Sequence, residues 1–146
     1  MNNSRLMTPF AAPAVGTVLL PGSKSQTNRA LICAALSKGT SRLSGVLFAD
    51  DTEAMLEAIV SLGAIVKEDR QNLEIEITGL AGAPSFNDLV IDARLSGTTS
   101  RFLMPTLAAG HGQVTLDGAE QLRSRPFAEQ IQALRDLGCQ IEEIGV

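Results

Sequence analysis

Three short stretches gather the residue types that hold small anions. The first is "LPGSKSQTNRA" (20–30), the second "SGTTSR" (96–101) and the third "RSRP" (123–126). In the first, Gly22 permits close backbone approach. A helix starting near Ser25 would offer unpaired N–H groups and the positive end of its dipole, which suit phosphate. Ser25 and Arg29 are four residues apart and share one helix face. Lys24 stands at the mouth as a compact charge with three donors. A nucleotide P-loop fails on spacing, because Gly22 is followed by Ser23 before Lys24, whereas that loop needs Gly-Lys-Ser or Gly-Lys-Thr. Taken alone, the stretch fits an anion cradle and a serine-capped helix with two surface cations equally well. The second stretch repeats the pattern of glycine, small hydroxyls and arginine at a helix start. The third places Arg125 before a helix that Pro126 is expected to open. Three such helix mouths can surround a ligand with more than one phosphate or carboxylate.

The charge distribution points the same way. The net charge is −4 over 146 residues, which argues against a general nucleic-acid binder. Yet residues 1–49 hold Arg5, Lys24, Arg29, Lys38 and Arg42 and no acid, and residues 93–116 hold Arg94 and Arg101 and no acid. This favours a local positive site for a small anion, against the plainer reading of chance clustering on a solvated face. Cys33 and Cys139 lack metal-ligand spacing and read as buried thiols of a reducing compartment. His111 reads as a loop residue after a helix. The N-terminus has no charged start followed by an apolar run, so no secretory signal is read and a cytoplasmic location is expected. No apolar run reaches the ~20 residues of a membrane span.

The elements that must position these residues come in two copies. Gly22 and Gly97 lie 75 residues apart, as do Gly63 and Gly138 in the Leu-Gly endings of "LEAIVSLGAIVKE" and "IQALRDLGCQIEE". The first copy reads as a strand over 15–20, a helix from Ser25 ended by Gly39, a strand over 41–47, and a helix capped by Asp50 or Asp51 and ended by Gly63. A strand over 64–66 and an alternating strand over 72–79 follow, with Leu73, Ile75 and Ile77 on one face. "ALICAAL" (30–36) is apolar all round, so that helix is expected to be buried on every side. The second copy reads as a strand over 89–91, a helix from Gly97 interrupted by Pro105, a strand over 113–117, a helix from Pro126 and a closing strand over 139–144. The expected class is α/β (α+β), with unit one at about 14–80 and an incomplete unit two at about 86–146. The first helix of each unit is expected at the centre and the sheets outside it.

The ordered set "LPGSKSQTNRALICAALSKG", "DDTEAMLEAIVSLGA", "SGTTSRFL" and "RSRPF" resembles the N-terminal part of 5-enolpyruvylshikimate-3-phosphate (EPSP) synthase. The resemblance runs from about Pro13 to the C-terminus and covers about the first third of such an enzyme. It implies repeated βαβαββ units of the inside-out barrel type and no metal or organic cofactor. It also implies the shikimate-pathway transfer of an enolpyruvyl group from phosphoenolpyruvate to the 5-hydroxyl of shikimate 3-phosphate. Position by position, it implies that Lys24 is catalytic, contacting phosphoenolpyruvate close to shikimate 3-phosphate. Ser25 and Arg29 match ligands of shikimate 3-phosphate. Gly97 matches the glycine packed against phosphoenolpyruvate, and Arg125 an arginine that binds it. Leu95-Ser96, Arg101-Phe102 and Gln121 depart from the common pattern, and Arg101 and Gln121 take no role from it. The sister UDP-N-acetylglucosamine enolpyruvyl transferases usually read Lys-Asn where this chain has Lys24-Ser25.

The acid–base carboxylate and further cations of such enzymes belong to a second domain outside this chain, so the chain alone is expected to be inactive. The expected partners are the two substrates and either that second domain or a second copy of the chain. Residues 1–15 are expected to be loose without the second domain. The alternative function is a non-catalytic anion-binding or interaction module derived from the same family.

Overall fold

A computed structural model describes residues 4–144. Residues 4–22 form no helix or strand, and Val15, Val18, Leu19 and Leu20 are all exposed. The strand expected over 15–20 is therefore absent. Its residues suit a sheet, but a strand exists only through a partner, and among the described residues no strand pairs with this run. The expectation for Met1–Asn3 lies outside the described residues.

The first helix, α1 (Lys24–Leu36), is capped by Ser23, whose side chain accepts from the Gln26 N–H. It buries Thr27, Asn28, Leu31, Ala34 and Ala35, which share one face at helical spacing. The expectation of burial on every side is corrected here. Arg29 and Cys33 are exposed and Cys139 is half-buried, so neither cysteine is the fully buried thiol expected. The covering elements reach only one side of α1. They are chiefly α2 (Asp50–Ser61), α3 (Gly97–Ala108) and β3 (Glu74–Thr78).

Strand β3 lies between β1 (Thr40–Ser44) and β2 (Ile65–Asp69), antiparallel to both. Ile75 and Ile77 point into the core, while Glu74 and Glu76 face outward and pair with Arg42 and Lys67. The alternation was thus legible, except that Leu73 sits in the preceding turn at φ +53 and is 43% exposed. The core runs through Leu31, Met55, Ile59, Ile75, Ile77 and Leu103.

In the second half, β4 (Leu89–Asp92) pairs in parallel with β5 (Val114–Asp117), and α3 connects them. A single turn, α4 (Glu120–Arg123), precedes α5 (Ala128–Asp136). Phe127 is the N-cap of α5, so Pro126 does not open that helix and Arg125 stands three residues ahead of it. Pro105 lies within α3 without ending it. Its missing N–H frees the Arg101 carbonyl four residues back, which accepts from Gln130 Nε2 at 2.7 Å. Residues 139–144 form no strand, again because among the described residues no strand pairs with them. The 75-residue offset survives in three dimensions: α2 ends at Ser61 and α5 at Asp136. Gly63 and Gly138 follow them at φ +104 and +95, a left-handed backbone that glycine adopts without strain. The architecture is mixed helix and sheet, as expected for the α/β class.

Candidate functional site

The first turns of α1, α2 and α3 meet at one end of the molecule, tied by buried side chains. Asn28 Nδ2 donates to Thr99 Oγ1 at 3.3 Å, and Thr99 Oγ1 donates to the Asp51 carbonyl at 2.9 Å. Ser96 caps α3 by accepting from the Thr99 N–H at 3.1 Å. Thr27 Oγ1 accepts from the Leu47 N–H at 3.1 Å, fixing α1 on the loop before α2. Gly22 is needed for the same approach. A Cβ there would fall 2.9 Å from both Leu47 N and Val46 C, and nearer still to the Gly45 carbonyl. The close approach that Gly22 permits is thus to the chain's own backbone.

The three helix ends differ in charge. The first turn of α2 carries Asp50, Asp51 and Glu53, which offset its positive dipole end. Neither Asp is its cap, which is Ala49; Thr52 Oγ1 instead accepts from the Ala49 N–H at 2.9 Å. The first turns of α1 and α3 carry no acid. Their leading N–H groups, on Lys24, Ser25, Gly97 and Thr98, have no protein acceptor among the described residues.

Each residue singled out in the sequence has a definite place here. Lys24 pairs with Asp51, whose side chain is 17% exposed against 49% for the lysine. Ser25 lies one residue on, and its carbonyl accepts from Arg29 Nη1 at 3.1 Å. The Arg29 guanidinium also lies over the Phe102 ring of α3, 5.3 Å from its centroid. Gly97 opens α3, buried against the guanidinium of Arg125, whose Cζ lies 3.5 Å from where a Cβ would sit. Arg125 itself is exposed and has no side-chain hydrogen bond or ion pair among the described residues. Lys24 therefore joins Gly97 and Arg125 through Asp51 and Thr99, and Arg29 reaches the same helix one turn further along.

The basic segments do not act as a single patch. Arg94 turns away to α2, with Nη1 and Nη2 each 2.7 Å from Asp50 and Glu57. Those carboxylates, Asp50 foremost, hold its pKa above the ordinary arginine value. Its backbone is left-handed, φ +53, with the N–H donating to Asp92 Oδ1 at 2.7 Å. Arg123 makes a two-pronged contact with Asp117, both distances 2.8 Å. The Arg123 hydrogen bond first, and the Gly118 N–H second, hold the Asp117 carboxyl below the usual carboxylate range. Arg101 is directed to the loop before α5, and exposed Gln121 lends its carbonyl to Ser124 Oγ at 3.1 Å. Among the described residues Arg29, Arg101 and Arg125 meet no carboxylate, whereas Lys24 is held by one. Arg101 is engaged by the loop before α5, so the free positive charge at the ledge is that of Arg29, Arg125 and the two helix ends.

The site is an open ledge. Two shallow concave surfaces among the described residues lie elsewhere, one across the outer sheet face beside Arg42, Lys67 and Glu74, the other between Arg94, Asp117 and Arg123. Their cations are already paired with carboxylates, so they offer an anion little. The sequence reading missed Asp51 as the partner of Lys24, and Asn28 and Thr99 as the link between helices.

Comparison with known proteins bears on the same segment. A family model described as EPSP synthase (3-phosphoshikimate 1-carboxyvinyltransferase) matches residues 11–145. The chain belongs to the EPSP synthase family. A 3-phosphoshikimate 1-carboxyvinyltransferase of Mycobacterium ulcerans is 40% identical over 144 residues, which cover 94% of this chain and 32% of that protein. One from Pseudomonas syringae pv. tomato is 42% identical over 134 residues, covering 91% of this chain and 31% of the relative. The chain thus spans about a third of the length of these curated relatives. The solved EPSP synthase from Acinetobacter baumannii superposes with a TM-score of 0.79 at 29% identity, over 89% of this chain and 30% of that one. The enolpyruvyl transferase NikO from Streptomyces tendae shares the fold, with a TM-score of 0.55 at 18% identity, over 82% of this chain and 26% of that one. Among the described residues no helix is long and apolar enough to cross a membrane.

Proposed function

We propose that this chain supplies the anion-binding part of an enzyme that moves the enolpyruvyl group of phosphoenolpyruvate to the 5-hydroxyl of shikimate 3-phosphate. The observation that carries the reading is the pair of acid-free helix starts, α1 and α3, tied side by side with Lys24, Arg29 and Arg125 around them. In this reading, residues 14–80 and 86–146 are two copies of one unit, the second incomplete. Both substrates are polyanions, and their charge is the feature such a ledge recognises.

The reaction adds the 5-hydroxyl oxygen to C2 of phosphoenolpyruvate while C3 gains a proton, giving a tetrahedral adduct. Loss of a C3 proton and of phosphate then restores the double bond. Ser25 and Arg29 hold shikimate 3-phosphate, for which Arg29 swings off the Ser25 carbonyl. Arg125 binds phosphoenolpyruvate, with Gly97 giving the guanidinium room to lie close. Lys24 leaves Asp51 to sit between the two anions and steady the charge that builds on the adduct. Asp51 keeps the lysine aimed until then. The groups that move protons belong to the remainder of the enzyme.

The test is a chimera in which these 146 residues replace the matching third of the Mycobacterium ulcerans relative. Phosphate release from the two substrates is expected, with loss of roughly 100-fold or more on Lys24→Ala, the scale of one electrostatic stabiliser. A folded chimera that binds shikimate 3-phosphate and releases no phosphate would contradict catalysis and favour the binding module.

A further inference from the structure

Arg101 is the one cation of the "SGTTSR" stretch that neither meets a carboxylate nor joins the ledge. Its Nη2 donates to the Pro126 carbonyl at 2.9 Å, and its Cζ lies 4.9 Å from the centroid of the Phe127 ring. Its own carbonyl, released by Pro105, accepts from Gln130 Nε2 at 2.7 Å. A single residue of α3 thus grips the loop before α5 at Pro126 and Phe127, and the first turns of α5 at Gln130. Arg125 is the residue next to that grip. Its backbone N–H donates to the Leu122 carbonyl at 3.0 Å, while its side chain makes no hydrogen bond of its own among the described residues. What keeps its guanidinium on Gly97 is therefore the path of the loop. Gly97 and Arg101 are one turn apart on the same helix, so the grip and the surface that receives Arg125 move as one body.

We infer that Arg101 is a positioning residue: by holding Pro126 and Phe127 it sets Arg125 against Gly97, and so aims the cation that recognises the carboxylate or phosphate of the smaller substrate. This rests on the proposed role of Arg125. A planar fork that donates in-plane to a carbonyl while lying over a ring is a task for arginine, and lysine's point charge performs it only in part.

The experiment uses the isotope-labelled chain without ligand. The Arg125 Nε–Hε signal and its contact with the Gly97 Hα are followed by NMR in the parent, Arg101→Gln and Arg101→Lys. The methyls of Ile131 and Leu134, which anchor α5 in the core, serve as the control. In Arg101→Gln the Arg125 signal is expected to shift towards a solvent-exposed guanidinium and the Gly97 contact to disappear, while both methyls stay in place. Arg101→Lys is expected to recover part of the contact. An unchanged Arg125–Gly97 contact in Arg101→Gln would overturn the inference. So would equal movement of the methyls, which would make Arg101 merely a support for α5. Because no ligand is present, this outcome is separate from the fate of the proposed reaction. A parent chain with the contact intact but no response to phosphoenolpyruvate would count against the role of Arg125 and leave the positioning intact.

Discussion

The two halves of the chain follow the same sequence plan, and their sheets are completed differently. In the first half β3 lies between β1 and β2, so three strands shield one side of the core with Ile75 and Ile77. In the second half β4 and β5 pair only with each other, and residues 139–144 have no strand partner among the described residues. The difference appears in burial. Ile77 of the first half is fully buried, whereas Ile131 and Leu134, the best-buried residues of α5, keep 8% and 9% of their surface exposed. Most core side chains belong to the first half, with Ile91, Leu103 and Leu107 added by the second, which presents Gly97 and Arg125 upon it. Burial is thus weighted to the first half, whereas the proposed anion ledge draws on both halves, α1 and α3, joined by the Asn28–Thr99 link.

The largest expected effect tests that division directly. Ile77→Ala should lower unfolding free energy by about 3–4 kcal/mol, and Ile131→Ala by about 2 kcal/mol, because a partly open site relaxes around a smaller side chain. Urea denaturation of both variants checks this, and equal losses would break the comparison.

Next come the two equivalent glycines. A methyl group on Gly22 meets the backbone of residues 45–47, whereas one on Gly97 meets the end of the Arg125 side chain. Gly22→Ala should therefore cost about 1–3 kcal/mol, as overpacking against rigid atoms does. Gly97→Ala should cost less than about 1 kcal/mol, since a side chain can move aside. Its mark should instead be a displaced Arg125 signal in the NMR spectrum. A large stability loss in Gly97→Ala would mean that this glycine, too, serves packing.

The link between the halves should matter less. Asn28→Ala removes the hydrogen bond to Thr99 and should cost about 1–2 kcal/mol. A double-mutant cycle with Thr99→Val isolates the coupling, which should be zero only if the halves are independent.

The smallest effect is electrostatic. Arg123 holds Asp117 below its ordinary pKa, so this pair stabilises the fold above the usual carboxylate range. That contribution fades as pH falls through the depressed folded value. Asp117→Asn should flatten the acid limb of the stability curve slightly, and added salt should erase the difference, because the pair is exposed.

Much of this was legible before any coordinates. The 75-residue spacing of glycines marked the matching ends of α2 and α5, the hydroxyl-rich starts marked α1 and α3, and the alternation of 74–78 marked β3. These are local signals, carried by residues within a turn or two of one another. What escaped depends on distant neighbours. Val15–Leu20 and Cys139–Ile144 have strand composition, but pairing is decided by another segment. The exposure of Cys33 depends on which side of α1 is covered. The pairing of Lys24 with Asp51, the turn of Arg94 towards α2 and the grip of Arg101 on Pro126 each join residues more than 20 positions apart. Spacing along the chain carries no trace of them.

The central claim is that α1 and α3 together form a prearranged anion ledge. Its most direct test is a titration of this chain with shikimate 3-phosphate, read at backbone amides by NMR, with inorganic phosphate as the control. The account predicts saturable shifts at Lys24, Ser25 and Arg29 that exceed those caused by phosphate and are lost in Arg29→Ala. Shifts no greater than those from phosphate, in a chain that is folded, would contradict it.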